Sequence, residues 1–448
     1  MMNRFVKYLA GLALVLILLF LTSLAVTLIF RKGDPFHPAS RMRTAIWLSK
    51  RIVAETAALP VSIWDPYKER HRFASTGPPV HSGQMSSGFS FSNRESLQDF
   101  FNTSADLQGA VVKRFINGSL PGARFDFYYQ PANEQLLDSL ANLYNLKELK
   151  DDEADDYAVL TKTMCWLHDK FHEVSGRRKE SLPEVDFNFN ALDILYRFAH
   201  GERFWCSEFS TTFVQCLAAI GYTARYVMLN SQTGGHVLCE AWCETYGKWI
   251  MLDPYFNRIV TLGNEPLDVY EIHRLLAEPE RHQRAVIIQH GNILADRGEK
   301  DFYLSLFRNL AVRMRNDWFT NRYPHWYPLS NSVMNALEWQ DELTYDNIYY
   351  KHETNRLEDL YWPLNRVRMA VQPGGDAQLN LFLETFTPNF SHFLVRYNNG
   401  HGISIQNGFY QWKLHPGLNG LEITSVNQWG IRGRPVSLEI EWHPQGKM

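Results

Sequence analysis

Cysteine is scarce: five residues in a chain of 448, and an odd number. That excludes a disulfide framework and leaves at least one thiol free or joined to another molecule. No sign of charge dominates, since 45 Lys and Arg stand against 48 Asp and Glu for a formal net charge of −3. A dedicated nucleic-acid binder carries a basic surplus, so that class is set aside. The chain shows no internal repeat, no low-complexity tract and no acidic loop with calcium-site spacing. Hydrophobic residues at 45% and charged residues at 21% exclude a disordered or collagen-like chain. Long hydrophobic runs are missing too, with a single exception at the N-terminus. Aromatics, in contrast, are rich at 14%, with 13 Trp. They suit large cores and sugar- or peptide-binding surfaces equally, and so decide nothing. The length exceeds one ordinary core and predicts roughly two to four domains.

The exception runs from Tyr8 to Phe30, interrupted only by Gly11, Thr22, Ser23 and Thr27. At about 1.5 Å per residue a helix of this length crosses the hydrocarbon core of a bilayer. A cleaved signal peptide has a shorter apolar region ending in a small-x-small site. Here Ser23-Leu24-Ala25 is the one weak candidate, and apolar residues continue past it. The run is therefore read as an uncleaved single-pass anchor. Arg4 and Lys7 precede it, while Arg31, Lys32, Arg41 and Arg43 follow. The positive-inside count does not place the body outside, but large domains translocate regardless of nearby charge. An extracytoplasmic body, periplasmic or on the cell surface, is the expectation, by analogy with other single-anchor enzymes.

Beyond the anchor (1–32), residues 33–124 read as a helix and loop lead-in, with a helix around Ala45–Ala58 and a Gly/Ser/Pro-rich loop from Ser75 to Asn93. Residues 125–275 carry helical patterns over Asn133–Leu149 and Tyr157–Phe171. The acidic run Asp151–Asp156 complements the dipole of the second helix rather than marking a cation site. Residues 276–362 form an aromatic-rich mixed extension. In residues 363–448, Leu379/Leu381/Leu383, Phe393/Val395/Tyr397, Tyr410/Trp412/Leu414 and Val436/Leu438/Ile440/Trp442 alternate with period two. Breaks such as Asn398-Asn399-Gly400 separate them, which predicts a small antiparallel, Ig-like β-sandwich. The fold class is thus α+β.

The chemistry concentrates between Phe204 and Pro254. Phe209, Phe213, Cys216/Leu217 and Ile220 recur at steps of three and four, so Ser207–Ile220 reads as an amphipathic helix stopped by Gly221. Cys206 then sits at the helix N-terminus, where the partial positive charge favours a thiolate. Strands follow at Ala224–Leu229, from His236 onward, and at Trp249–Leu252, the last two joined by a turn at Tyr246-Gly247-Lys248. His236, Leu238, Glu240 and Trp242 share one face. His236 and Asp253 can meet across adjacent strands, giving a nucleophile–base–orienter chain of Cys206, His236 and Asp253.

These residues resemble the transglutaminase-like superfamily of papain-fold cysteine enzymes, in a membrane-anchored bacterial form. The resemblance lies in Cys206 at a helix start, the Gly221/Arg225 junction, His236 with Glu240, and Asp253-Pro254, with Leu192-Asp193-Ile194-Leu195 as a helix before the nucleophile. It covers about residues 150–260. Ser207 departs from the aromatic or acidic residue often found after the family's cysteine. The resemblance implies a papain-like core and acyl transfer through a thioester, with Cys206, His236 and Asp253 as catalytic residues. Hydrolysis of a peptide or carboxamide is favoured over amine cross-linking, because bacterial members are often hydrolases. The family's oxyanion-hole side chain has no match, and the Cys206 backbone N–H is the one donor named.

No cofactor and no metal are expected. The partners expected are a protein or peptide substrate, the membrane, and a cell-envelope glycan on the aromatic-rich sandwich, with no nucleic acid. The alternative is an inactive copy serving as a cell-envelope binding or polysaccharide-assembly scaffold. Cys165, Cys216, Cys239 and Cys243 read as core thiols. His168-Asp169-Lys170-Phe171-His172 places two imidazoles one helical turn apart, as zinc sites do. No third ligand is evident and Phe171 takes the core side, so the pair reads as solvated or capping.

Overall fold

A computed structural model describes residues 91–120, 123–150, 155–173, 189–232, 234–320, 336–345, 352–398 and 400–444. The anchor run, the helix around Ala45–Ala58 and most of the Ser75–Asn93 loop lie outside them. Among the described residues no helix is long and apolar enough to cross a membrane. The architecture is α+β, with several largely antiparallel sheets.

Six strands make the central sheet, in the spatial order His352–Thr354, Ala336–Trp339, Asn309–Arg313, Ala224–Ser231, Gly234–Cys243 and Lys248–Leu252. All neighbours are antiparallel except the first two. Strand residues alternate between two cores, as the twofold period of a strand requires. Tyr226, Met228, Cys239, Ala241, Ile250 and Leu252 face four helices: Gln135–Leu143, Asp156–Glu173, Ala191–Ala199 and Cys206–Ala219. Val227, Leu229, Leu238, Trp242, Trp249 and Met251 face the opposite core. That core is completed by the helices Val269–Leu275 and Arg297–Ser305, a small four-stranded sheet and residues 360–364. A sheet covered on both faces buries most of what its inner strands carry, polar groups included.

Two of the helix starts have a local cause. The Asp155 carboxylate accepts the Ala158 N–H at 2.8 Å and caps the Asp156 helix, while residues 151–154 of the acidic run lie outside the described residues. Asn190 accepts the Asp193 N–H at 3.1 Å and starts the Ala191 helix. The Cys206 helix departs from the amphipathic reading. From Phe209 to Leu217 every residue is buried, including Ser210, Thr211, Thr212 and Gln215. Gln215 is used there: its side-chain oxygen accepts the Ala191 N–H at 2.6 Å and ties two helices together.

The C-terminal strands form two antiparallel sheets around one apolar core. One sheet is Val367–Gly375, Gln378–Thr385 and Phe409–Lys413. The other holds Gly402–Ile405, Phe390–Tyr397, Gly417–Asn427, Val436–Trp442 and, at its edge, Ala110–Ile116. That edge strand, with the Arg94–Thr103 helix packed beside it, comes from residues read as lead-in. The sandwich meets the central body at Gly221. Asn427 donates to the Gly221 carbonyl at 2.8 Å, and a Cβ on Gly221 would stand 2.5 Å from Trp429 Cβ. With φ at +93° as well, only glycine fits there.

Candidate active site

Three neighbouring segments build the site. Cys206 is the first residue of its helix, half-buried, at the end where the first-turn amides lack acceptors within the helix. Glu208 reaches back to the Trp205 N–H at 3.0 Å and to the Ser207 hydroxyl at 2.7 Å, which pins the turn that carries the thiol. Ser210 Oγ donates to the Val237 carbonyl at 3.2 Å, and the Cys239 thiol to the Ser210 carbonyl at 3.4 Å. These bonds fix the helix start against the strand that bears His236.

His236 Nε2 lies 2.8 Å from Asp253 Oδ2, and both side chains are buried. Tyr303 donates its hydroxyl to the same oxygen at 2.7 Å. Oδ1 accepts the backbone N–H groups of Tyr255 at 3.1 Å and Phe256 at 3.2 Å. Burial would raise the Asp253 pKa, but His236, Tyr303 and the backbone donors overcome it and hold the pKa below the ordinary value. An anionic carboxylate only accepts, so Nε2 carries the proton and Nδ1 is the nitrogen left for Cys206. Burial opposes charge on His236 as well. The charge of Asp253 and hydrogen bonds to Asp253 and Cys206 outweigh it and raise the pKa to about 10.

The carboxylate is aimed by its own turn. Asp253 and Arg258 exchange backbone hydrogen bonds at 3.0 and 3.1 Å, closing a loop in which Asn257 takes φ +51°. The Arg258 guanidinium packs 4.7 Å from the Phe256 ring centroid and 4.9 Å from that of Tyr303. Phe256 in turn stands 5.1 Å from the His236 ring. Tyr303 was missed in the sequence, where it belonged to a segment read only as helix-like or buried. It arrives 50 residues after Asp253 with no motif around it.

Arg225 and Glu240 are directly opposed on paired strands, both fully buried. Arg225 Nε and Nη2 lie 2.9 and 2.7 Å from Glu240 Oε2. The guanidinium stacks 4.1 Å from the Trp249 ring and donates to the Leu360 carbonyl at 2.5 Å. Glu240 Oε1 accepts from the Tyr361 hydroxyl and the Val269 N–H, each at 2.8 Å. The Gly221/Arg225 and His236/Glu240 spacings thus encode one satisfied buried ion pair that locks the strands behind His236.

A cleft of about 780 Å³ opens beside these groups. Phe204 and Phe209, which bracket Cys206 in the chain, line it, as do Tyr255 and Phe256 next to His236. Its other wall carries Arg203, His168 and His290. His168 is not solvated: it is 5% exposed, with Nδ1 3.3 Å from the Pro254 carbonyl oxygen. Burial, with His172 and His290 nearby, lowers its pKa. Phe171 does take the core side, stacking 3.9 Å from Phe209. The third imidazole absent from the sequence reading is His290, whose ring centroid is 4.6 Å from that of His168.

All five cysteines are thiols. Burial raises the pKa of Cys216, Cys239 and Cys243, which keeps them protonated and inert. Of the five, Cys206 alone is linked to an imidazole paired with a carboxylate. No protein-family model matches the chain, and no curated protein sequence matches it.

Proposed function

We propose that this protein is a membrane-anchored, transglutaminase-like cysteine hydrolase that cleaves a peptide or carboxamide bond through a thioester. The observation that carries the reading is the chain Cys206–His236–Asp253, with the imidazole held between a thiol at a helix N-terminus and a buried, fully hydrogen-bonded carboxylate. The Cys206 sulfur attacks the carbonyl carbon, and the π pair moves to oxygen. The Cys206 N–H, at the helix start, donates to that oxygen. His236 gives its Nδ1 proton to the departing nitrogen, the C–N bond breaks, and an acyl thioester remains. Water then attacks, His236 takes its proton, and the C–S bond breaks to release the acid. Asp253 moves no proton; it fixes the tautomer and offsets the imidazolium charge. We assign water rather than an amine as acceptor because exposed residues rim the cleft and leave it open to solvent.

The test is carried out on the full chain in detergent. A thiol-reactive probe at pH 6 should label wild type at Cys206 and leave His236→Ala unlabelled. A panel of peptides and glutamine carboxamides, with and without a primary amine, should yield acid product that Cys206→Ala abolishes. Equal labelling of wild type and His236→Ala would remove the enzymatic reading and favour the scaffold. The anchor is tested separately: the full chain should stay in membranes through a carbonate wash.

A further inference from the structure

We propose that His168, Asp169 and His290 form a binding site for a divalent transition-metal ion, zinc before others, on the cleft wall beside the Cys206–His236 pair. One ligand atom from each residue lies within 4.8 Å of the other two. Tetrahedral zinc at its usual bond lengths needs ligand atoms roughly 3.4 Å apart. The closure required is small, and it falls on the two exposed side chains, Asp169 and His290, while buried His168 stays as the fixed point.

The orientation of that fixed point suits a ligand. His168 Nδ1–H donates to the Pro254 carbonyl at 3.3 Å, which leaves Nε2 with its lone pair. A backbone acceptor on one ring nitrogen is the arrangement that aims and polarises metal-binding imidazoles. His290 reaches the site from a separate element. It forms, with Gly291, the two-residue turn between Ala285–Gln289 and Asn292–Ile293, at φ +50° and +76°. Two left-handed residues make a type I′ turn, in which glycine or asparagine is usual and histidine less so. The turn is seated on Asn257: His290 N–H donates to the Asn257 carbonyl at 3.1 Å, and the Asn257 amide meets His290 Nδ1 at 3.1 Å. As placed, the Asn257 side-chain N–H donates to His290 Nδ1 and its oxygen accepts the Cys165 thiol at 3.4 Å, so an ion at Nε2 requires this amide to turn over and accept Nδ1–H.

The donor set chooses the metal. Two imidazoles and one carboxylate, without a thiolate, suit zinc, cobalt, nickel or copper(II) rather than calcium, magnesium or copper(I). Water, or His172 with its ring 4.2 Å from that of His168, completes the coordination. The bound ion would clamp the His290 turn to the Asp156–Glu173 helix across the cleft wall.

The test uses the full chain purified without a histidine tag, carrying Cys206→Ala so that no reactive thiol competes for metal. Zinc is titrated calorimetrically and cobalt(II) by its visible absorption. One ion per chain should bind, with the intense d–d bands of a four-coordinate site and a raised melting temperature. His290→Ala and Asp169→Asn, both at exposed positions, should each weaken binding by about tenfold or more. No binding at about 100 µM zinc would overturn the site, as would binding unchanged in His290→Ala. Because the reaction is not part of the readout, failure here leaves the Cys206 chemistry standing, and the reverse holds.

Discussion

The six-stranded sheet and the C-terminal sandwich are both antiparallel in the main, yet they treat charged groups in opposite ways. In the sandwich the completely buried polar residues are uncharged, Thr385, Asn419 and Ser425 among them, and the shared core is apolar: Val367, Met369, Leu379, Leu381, Phe393, Ile423, Leu438 and Ile440 are all fully buried. The central sheet is covered on both faces, and Arg225, Glu240 and, at the end of a strand, Asp253 are completely buried there. Each is paired: Arg225 with Glu240, Asp253 with His236. Charges removed from water on both sides persist only in such pairs, and there their mutual influence is strongest. Behind His236 the burial itself opposes charge on the imidazole, and it is the pairing with Asp253, strengthened by the same dry surroundings, that raises its pKa.

Substitutions can break that contrast at several strengths. The largest effect is expected from Cys206→Ala, which should abolish acylation outright in a single-turnover assay and leave the melting temperature unchanged within error. Next is Asp253→Asn. The comparable loss in a serine triad is about 10⁴ in kcat, and here it should be smaller because the helix start also supports the thiolate. The pH profile sharpens this case. Since the His236 pKa is raised to about 10, acylation in wild type should persist until its imidazolium is lost near that pH. In Asp253→Asn the alkaline limb should move down. The same raised pKa makes the His236 contribution to stability complete below about pH 6.5, its unfolded value, and lost as pH rises through about 10.

Arg225→Met tests the comparison directly. It leaves Glu240 buried and unpaired and should cost about 3–5 kcal/mol in denaturant unfolding, with Glu240→Gln in the same chain recovering part. Phe393→Ala in the sandwich should cost a similar 3–5 kcal/mol through a cavity, and leave single-turnover acylation of the folded fraction unaltered. If Phe393→Ala slows acylation as much as Arg225→Met, the two regions are one energetic unit and the contrast fails.

Tyr303→Phe removes one of the donors to Asp253 and should slow acylation by about tenfold, with KM unchanged and the alkaline limb displaced. The smallest effect belongs to Glu244, where the two regions meet. Asn365 and Trp242 donate to its Oε1 at 2.9 and 2.6 Å, but burial dominates and raises its pKa to about 7. A raised carboxylate pKa means a stability contribution present at acid pH and lost as pH rises through about 7. Glu244→Gln should therefore come close to wild type at pH 5 and exceed it at pH 8 in chemical denaturation.

Several features of the site were legible because they are local. A cysteine before an apolar helix, a glycine stop, and strand parity from His236 to Asp253 follow from periods of 3.6 and 2 and from short turns. The Cys206 helix was misjudged as amphipathic because Thr211, Thr212 and Gln215 look like a solvent face. The sheet and three other helices cover that face, and polarity in one helix does not reveal what packs around it. The Ala110–Ile116 strand escaped notice because a register shift between Val112 and Arg114 breaks its alternation. His168 and His172 were one turn apart in plain view, while His290 was not visible as their neighbour.

By itself the sequence determined the order of elements around Cys206, the pairing of His236 with Asp253, and the alternating strands of the sandwich, since each depends on contacts between near neighbours in the chain. Only the tertiary structure decided that Tyr303 completes the Asp253 carboxylate, that a distant edge strand closes the sandwich, and that the His290 turn lies against His168. Those meetings bring together residues far apart in the chain. No periodic pattern records them, because what selects them is the packing of whole layers and the pairing of the charged groups those layers bury.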